Sequence, residues 1–227
     1  MASSDEYEIG LIENETDARL CAQVLSKEFS SLNPLGIFNK HSTEHLFENW
    51  LWPLITEVRD EKLSFLVRYR PTNEIVAAMF ATDLFLYEQN QPNGYPQSSS
   101  GNPSADMFAE LCHQFIHQDL PHKLESNMVI YLVAGATNSQ HAGKGIASRL
   151  RSHVCQYAKH VRGFQYAFVQ TSNAATRHIY TTKLNGKETS ILHPKNWLWK
   201  TNDNQDGTCP FHDYTDEPMV NILVELK

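Results

Sequence analysis

At 227 residues, with 41% apolar side chains, the chain is long enough to bury a core without disulfide staples, and one domain over 1–227 is the natural expectation. A formal charge of -7 argues against nucleic acid, which needs a basic face, and is compatible with a cationic small molecule. The polar, acidic start carries no secretory pattern, no apolar run approaches the ~20 residues of a membrane span, and Cys21, Cys112, Cys155 and Cys209 lie too far apart for a C-x-x-C pair, so a soluble cytoplasmic monomer or homodimer with reduced thiols is expected.

In chain order, Tyr7 to Leu11 reads as a strand, and Asn14 to Asp17 supply capping oxygens for a helix whose Ala18, Cys21, Ala22, Leu25 and Phe29 share one face. That helix stops near Asn33-Pro34-Leu35-Gly36. Ser42-Thr43-Glu44 opens a second helix carrying Leu46, Phe47, Trp50, Leu51, Leu54, Ile55 and Val58, which Pro53 kinks or divides. Leu63 to Tyr69 and Glu74 to Leu86, joined by Arg70 to Asn73, have the β-branched and aromatic content of a hairpin. From 88 to 104 the composition turns to Gln, Asn, Pro, Gly and Ser, which reads as a mobile insertion. Met107, Phe108, Leu111, Cys112, Phe115 and Ile116 mark a third helix ending before Pro121. The pairs His41/His45 and His113/His117 have the spacing of zinc ligands but no following glutamate, and polar helix faces account for them without a metal.

Met128 to Ala134 is an apolar strand, Gly135 to Gly145 a glycine-bearing loop, and Ile146 to His160 an amphipathic helix. Ile146, Leu150, Val154, Tyr157 and Val161 form its apolar stripe, while Arg149, Arg151, His153 and Lys159 fall on the polar side. A strand feeding through such a loop into a helix N-terminus gathers unpaired amides and the positive end of the helix dipole, which is an anion site. It is not the nucleoside triphosphate loop, since Gly143-Lys144-Gly145-Ile146 departs from G-x-x-x-x-G-K-S/T. Nor is it the dinucleotide loop, because the next strand, Tyr166 to Thr171, ends in Gln170 and Thr171 rather than an acid. Beyond it come Asn173-Ala-Ala-Thr-Arg-His-Ile-Tyr180, strands near Thr189 to Leu192 and Met219 to Leu226, and between them Trp197, Trp199 and a polar turn over Asn202 to Gly207.

Gln140-x-x-Gly143-x-Gly145 running into Ile146 and Ala147 resembles the acyl-CoA pyrophosphate loop of the GNAT N-acetyltransferase superfamily, and Asn173-x6-Tyr180 followed by Lys183-Leu184 is similar to that superfamily's next helix. The resemblance implies an α/β (α+β) fold with a mixed, mostly antiparallel sheet flanked by helices, whose splayed central strands form the acyl-CoA cleft. It assigns the diphosphate to Gln140 and the amides of His141, Ala142, Gly143, Lys144, Gly145, Ile146 and Ala147, with Lys144 or Arg149 adding charge. It assigns the carbonyl donor and pantetheine contacts to a bulge at Leu132 and Val133, and the general acid to Tyr180, while Asn173 either holds the pantetheine or caps its helix. Trp50 and Trp52 fall where the superfamily builds one wall of the acceptor cleft, and core packing accounts for them equally well. Phe29-x-x-x-Asn33-Pro34-Leu35 is similar to the Glu-Pro-Leu segment of arylalkylamine acetyltransferases, but with asparagine in place of the carboxylate. Val129 stands where histone-type members carry a glutamate, which leaves Glu125, Asp83, His193, Glu217 or a water relay as the base. The implied activity is acetyl transfer from acetyl-CoA to a small primary amine, with no metal, no nucleic acid and no membrane partner. A CoA-binding module without catalysis and a protein lysine or N-terminal acetyltransferase are the alternatives.

Overall fold

The computed structural model describes residues 6–90, 100–201 and 204–227. The strands are β1 (Tyr7–Leu11), β2 (Phe65–Tyr69), β3 (Glu74–Asp83), β4 (Val129–Thr137), β5 (Tyr166–Thr171), β6 (Lys187–Leu192), β7 (Trp199–Thr201), β8 (Asn204–Thr208) and β9 (Met219–Glu225). The α-helices are α1 (Glu15–Leu32), α2 (Pro34–Phe38), α3 (Thr43–Leu46), α4 (Trp52–Val58), α5 (Leu84–Gln89), α6 (Pro103–Gln114), α7 (Ile146–Arg162) and α8 (Ala174–His178). Seven strands form one sheet in the order β1-β2-β3-β4-β5-β9-β6, and β7 and β8 make a separate hairpin. Every neighbouring pair in the large sheet is antiparallel except β4 with β5. That parallel pair is joined by α7, the crossover a parallel connection requires.

Two apolar clusters cover the two faces of this sheet. On one, Ile146, Leu150, Val154 and Ala158 of α7 pack on Ile130, Leu132, Ala167, Val169 and Ile222. On the other, Ala18, Cys21, Ala22 and Leu25 of α1 with Leu54, Ile55 and Val58 of α4 pack on Leu66, Ala78, Phe80 and Ala134. The Asn14 side chain accepts from Asp17 N at 2.8 Å, which fixes where α1 begins. Pro53 lies in the first turn of α4, after a π turn over Phe47–Leu51, so the second helical region is divided as its proline implied.

Four expectations need correction. The hairpin's second strand ends at Asp83, not Leu86, because Asp83 Oδ1 accepts from Phe85 N at 3.1 Å and starts α5. Gly135 to Thr137 belong to β4 rather than to the loop, paired with Met79, Ala78 and Ala77. On α7, Arg151 is 4% exposed, whereas Val161 is 63% exposed. At ~100° per residue position 151 falls between Ala158 and Cys155 in the buried arc, and at Val161's end of the helix the cluster is closed by Phe164. Asn204 to Gly207 lie in β8 rather than in a turn, while Asn202 and Asp203, the 91–99 part of the polar insertion and residues 1–5 lie outside the described residues.

Candidate active site

The parting of β4 and β5 organises the site. Their pairing runs Val129–Tyr166, Ile130–Ala167, Tyr131–Phe168 and Leu132–Val169 and then stops, although both strands continue. At the same level the β3 register passes from Phe80–Ala134 to Ala81–Leu132, so Val133 has no partner residue on either neighbour. An extra residue of this kind is a bulge, and it frees main-chain groups at the rim of a gap between strands. Leu132 points into the α7 cluster, and Val133 packs against the clusters of the opposite face.

Above the gap, the turn after β4 is tied down by its own polar groups. Gln140 N donates to Asn138 Oδ1 at 3.0 Å, His141 N to Asn138 O at 2.8 Å and Ala142 N to Ser139 O at 3.1 Å. These amides are therefore engaged within the turn, which narrows the anion-binding set expected from sequence to Gly143, Lys144, Gly145, Ile146 and Ala147. Among the described residues no acceptor is found for those five N–H groups, and Gly143 to Gly145 are exposed. Gly143 and Gly145 hold φ of +74° and +76°, with nothing within 4 Å of where a Cβ would stand, so the loop is an open cradle at the N-terminus of α7. The His141 ring anchors it from below: Nδ1 shares a 3.0 Å hydrogen bond with the Tyr7 hydroxyl, and the ring stands edge-on to Tyr69 at 5.0 Å. Lys144 Nζ lies 5.9 Å from the Tyr7 ring centre.

Tyr180 sits on a π turn, Ile179–Lys183, that follows α8. Such turns re-aim side chains at functional positions. The residue is fully buried, and among the described residues its hydroxyl makes no well-formed hydrogen bond, the Arg151 side chain being the polar group that acts on it. Burial pushes its phenol above the ordinary range, the Arg151 charge pulls it back, and Cys155 pushes it up again. Asn173 caps α8, its side chain accepting from Thr176 N at 3.1 Å. Arg177 Nε and Nη2 each donate at 2.7 Å to the Glu188 carboxylate, which fastens α8 to β6.

On the face opposite α7 the gap is bordered by a buried polar chain. Tyr131 donates to Gln170 Oε1 at 2.6 Å, Gln170 Nε2 donates to Phe108 O at 3.0 Å and to Asn221 Oδ1 at 3.2 Å, and Asn221 Nδ2 donates to Leu111 O at 2.8 Å. Beside it Phe38, Phe108, Trp197, Phe211 and Tyr214 form an aromatic cluster. Trp50 and Trp52 are not part of that cluster. Trp50 meets Phe29 edge-on and Trp52 stacks on Phe47, between α1 and α4. The base candidates separate by position. Asp83 pairs with Ile130, below the bulge, and accepts from Asn127 N at 2.7 Å, while Glu125 lies in the exposed turn before β4. His193 follows β6 where Leu192 pairs with Met219, at the upper end of β9, and Glu217 lies just before β9 with an oxygen 3.8 Å from Arg177 Nη1. Two groups were not singled out from sequence: Arg151, and Glu28, a 5% exposed carboxylate whose nearest donor is Ser139 Oγ at 3.5 Å. Neither belongs to a spacing motif, so only packing reveals them.

The model of the acetyltransferase (GNAT) family matches residues 34–186. Among solved structures, the C-terminal condensation domain of Ebony in complex with beta-alanyl-dopamine is similar at TM-score 0.77 and 16% identity, with 96% of this chain and 98% of that one covered. Arylalkylamine N-acetyltransferase 2 from Aedes aegypti is similar at TM-score 0.65 and 12% identity, covering 97% and 99%. The Drosophila melanogaster polyamine N-acetyltransferase that forms N-acetylagmatine is similar at TM-score 0.63 and 14% identity, covering 96% and 100%. No curated protein matches the chain in sequence.

Proposed function

This chain belongs to the acetyltransferase (GNAT) family, and from that membership and the geometry of the parted strands we propose that it transfers an acetyl group from acetyl-CoA to a small primary amine, by direct transfer within a ternary complex. The observation that carries this reading is the parting of β4 and β5 beyond Leu132 and Val169, with a bulge at Val133, an open cradle over Gly143 to Ala147 at the head of α7, and Tyr180 in the same apolar cluster as Leu132 and Val169. One domain over 1–227 is part of the same reading.

Acetyl-CoA supplies the activated acyl group as a thioester. The free amides and the α7 dipole hold its diphosphate, with Lys144 adding charge nearby. The main chain at Leu132 and Val133 aligns the pantetheine arm and donates to the carbonyl oxygen as that oxygen gathers charge. Tyr180 gives its proton to the departing sulfur. The aromatic cluster of Phe38, Phe108, Trp197, Phe211 and Tyr214 suits an acceptor with an apolar body, and arylalkylamines, the amines named for one of the similar structures, fit that class. Of the four base candidates His193 and Glu217 lie at the acceptor end of the sheet, and a water relay to either would take the amine proton.

A thiol-release assay with acetyl-CoA and a panel containing agmatine, dopamine and tryptamine tests this. Amine-dependent release of CoA is expected. Acetyl-CoA binding without release for any acceptor would instead mark a CoA-binding module, and release only with peptide acceptors would move the substrate class to protein.

A further inference from the structure

Arg151 is a cation where a solvated helix would not place one. It is 4% exposed, and among the described residues no ion pair to a carboxylate is found for it. Its Nη1 donates to Ala147 O at 3.1 Å and its Nη2 to Gly135 O at 3.5 Å, while its buried Nε has no acceptor. The guanidinium carbon lies 5.7 Å from the centre of the Tyr180 ring, whose hydroxyl is likewise buried and, among the described residues, makes no well-formed hydrogen bond. A buried, unpaired charge is strongly unfavourable, so its retention at the parting of β4 and β5 calls for a use.

We propose that Arg151 is a positioning residue for the acid: bridging Gly135 of β4 and the face of Tyr180, it supports the phenolate that remains after Tyr180 has protonated the leaving sulfur. This rests on the acetyl-transfer reading. In that step the amine nitrogen bonds to the acyl carbon, the carbon–sulfur bond breaks with its electron pair on sulfur, and the Tyr180 proton moves to sulfur. The surplus amine proton passes to water, and the phenolate regains a proton from water afterwards, so atoms and charge balance. A phenol with reference pKa about 10 hands its proton to a thiolate of about 8.5 the more readily the more the effect of burial is opposed. From α7, Arg151 and Cys155 are the charged or titratable groups acting on Tyr180. The strands contribute aliphatic side chains to the same cluster, among them Leu132, Val169, Val220 and Ile222. Arg151 is thus the cation that opposes burial, although burial remains the larger effect and keeps the phenol above its ordinary range.

The test replaces Tyr180 by 3,5-difluorotyrosine, which titrates where the folded chain can be studied, and follows the phenol by fluorine NMR with no cofactor added. Arg151→Met should raise the midpoint by about one pH unit or more, and Arg151→Lys by less than half as much. In the parent chain Arg151→Met should lower the rate of thiol release by about thirtyfold or more, with acetyl-CoA Kd kept within about threefold, and Arg151→Lys should restore much of that rate. An unchanged midpoint overturns the proposal. So does weakened acetyl-CoA binding without a midpoint change, which would make Arg151 a cofactor ligand. Should Arg151→Met fail to fold, Arg151→Gln against Arg151→Lys gives the same comparison. If the parent chain released no CoA with any amine, acetyl transfer would fail while the midpoint still decided the Arg151–Tyr180 pairing.

Discussion

A tyrosine hydroxyl with no well-formed hydrogen bond among the described residues, in a residue that is fully buried, forgoes about 1 kcal/mol or more. The proposed proton transfer to sulfur would give that hydroxyl a role, and the phenol is suited to it because it stays protonated at neutral pH. Tyr180→Phe removes only the oxygen, so the fold should hold. The rate of thiol release should fall by about 10²–10⁴-fold with acetyl-CoA affinity within about twofold by calorimetry. Weakened binding with unchanged turnover would remove Tyr180 from the acid role. Tyr180 is singled out in the sequence through the resemblance of Asn173-x6-Tyr180 to the superfamily's helix, and Asn173 caps the helix that precedes it. Arg151 is not legible, because hydropathy counts arginine as a surface residue and only the packing of α7 on β4 shows that it is enclosed.

Two elements set the geometry at which these residues act, the glycine turn into α7 and the clamp that holds α8. Gly145→Val forces a β-branched residue into φ of +76° at the helix entrance and fills the open cradle, so acetyl-CoA affinity should drop by about tenfold or more, beside a loss of stability of about 1–3 kcal/mol from the strained backbone that leaves the chain folded at 25 °C. Undiminished binding would exclude the turn as the anion site. For α8, the Arg177 hydrogen bonds hold the Glu188 carboxyl below its ordinary value, with Arg177's charge adding to the effect. A carboxylate whose folded-state pKa is depressed stabilises the fold above the ordinary carboxylate range and loses that contribution as pH falls through the lowered value. Chemical denaturation between pH 7 and pH 3 should therefore show Arg177→Met less stable than the parent by at most about 1 kcal/mol at pH 7, the pair being part-exposed, with the gap closing below about pH 4. A gap independent of pH would make the pair a packing contact only. The glycine pattern and the division of the second helix at Pro53 follow from local chemistry and are readable as sequence. Leu84 to Tyr87 are not, since Leu, Phe and Tyr suit a strand as well as a helix and the Asp83 cap decides between them.

Across the whole molecule, clusters on both faces meet the sheet where β3 carries β4, and Phe80, fully buried and paired with Ala134, stands beside the bulge. Phe80→Ala should cost about 3–5 kcal/mol and lower Tm by roughly 10 °C, with circular dichroism and tryptophan fluorescence reporting one transition. A loss under about 1 kcal/mol would show that this contact does not hold β3 to the α1 face. The mixed, mostly antiparallel sheet is expected only through the superfamily resemblance, and the order of its strands is not expected at all, since alternation names strands without saying which neighbours they take. The structure supplies the pairing and, with it, the parting of β4 from β5. The most direct test of the account is a crystal structure with acetyl-CoA. The diphosphate should rest on the amides of Gly143 to Ala147, with the sulfur between β4 and β5 within hydrogen-bond reach of the Tyr180 hydroxyl. Acetyl-CoA bound elsewhere, or a Tyr180 hydroxyl directed away from the sulfur, would contradict it.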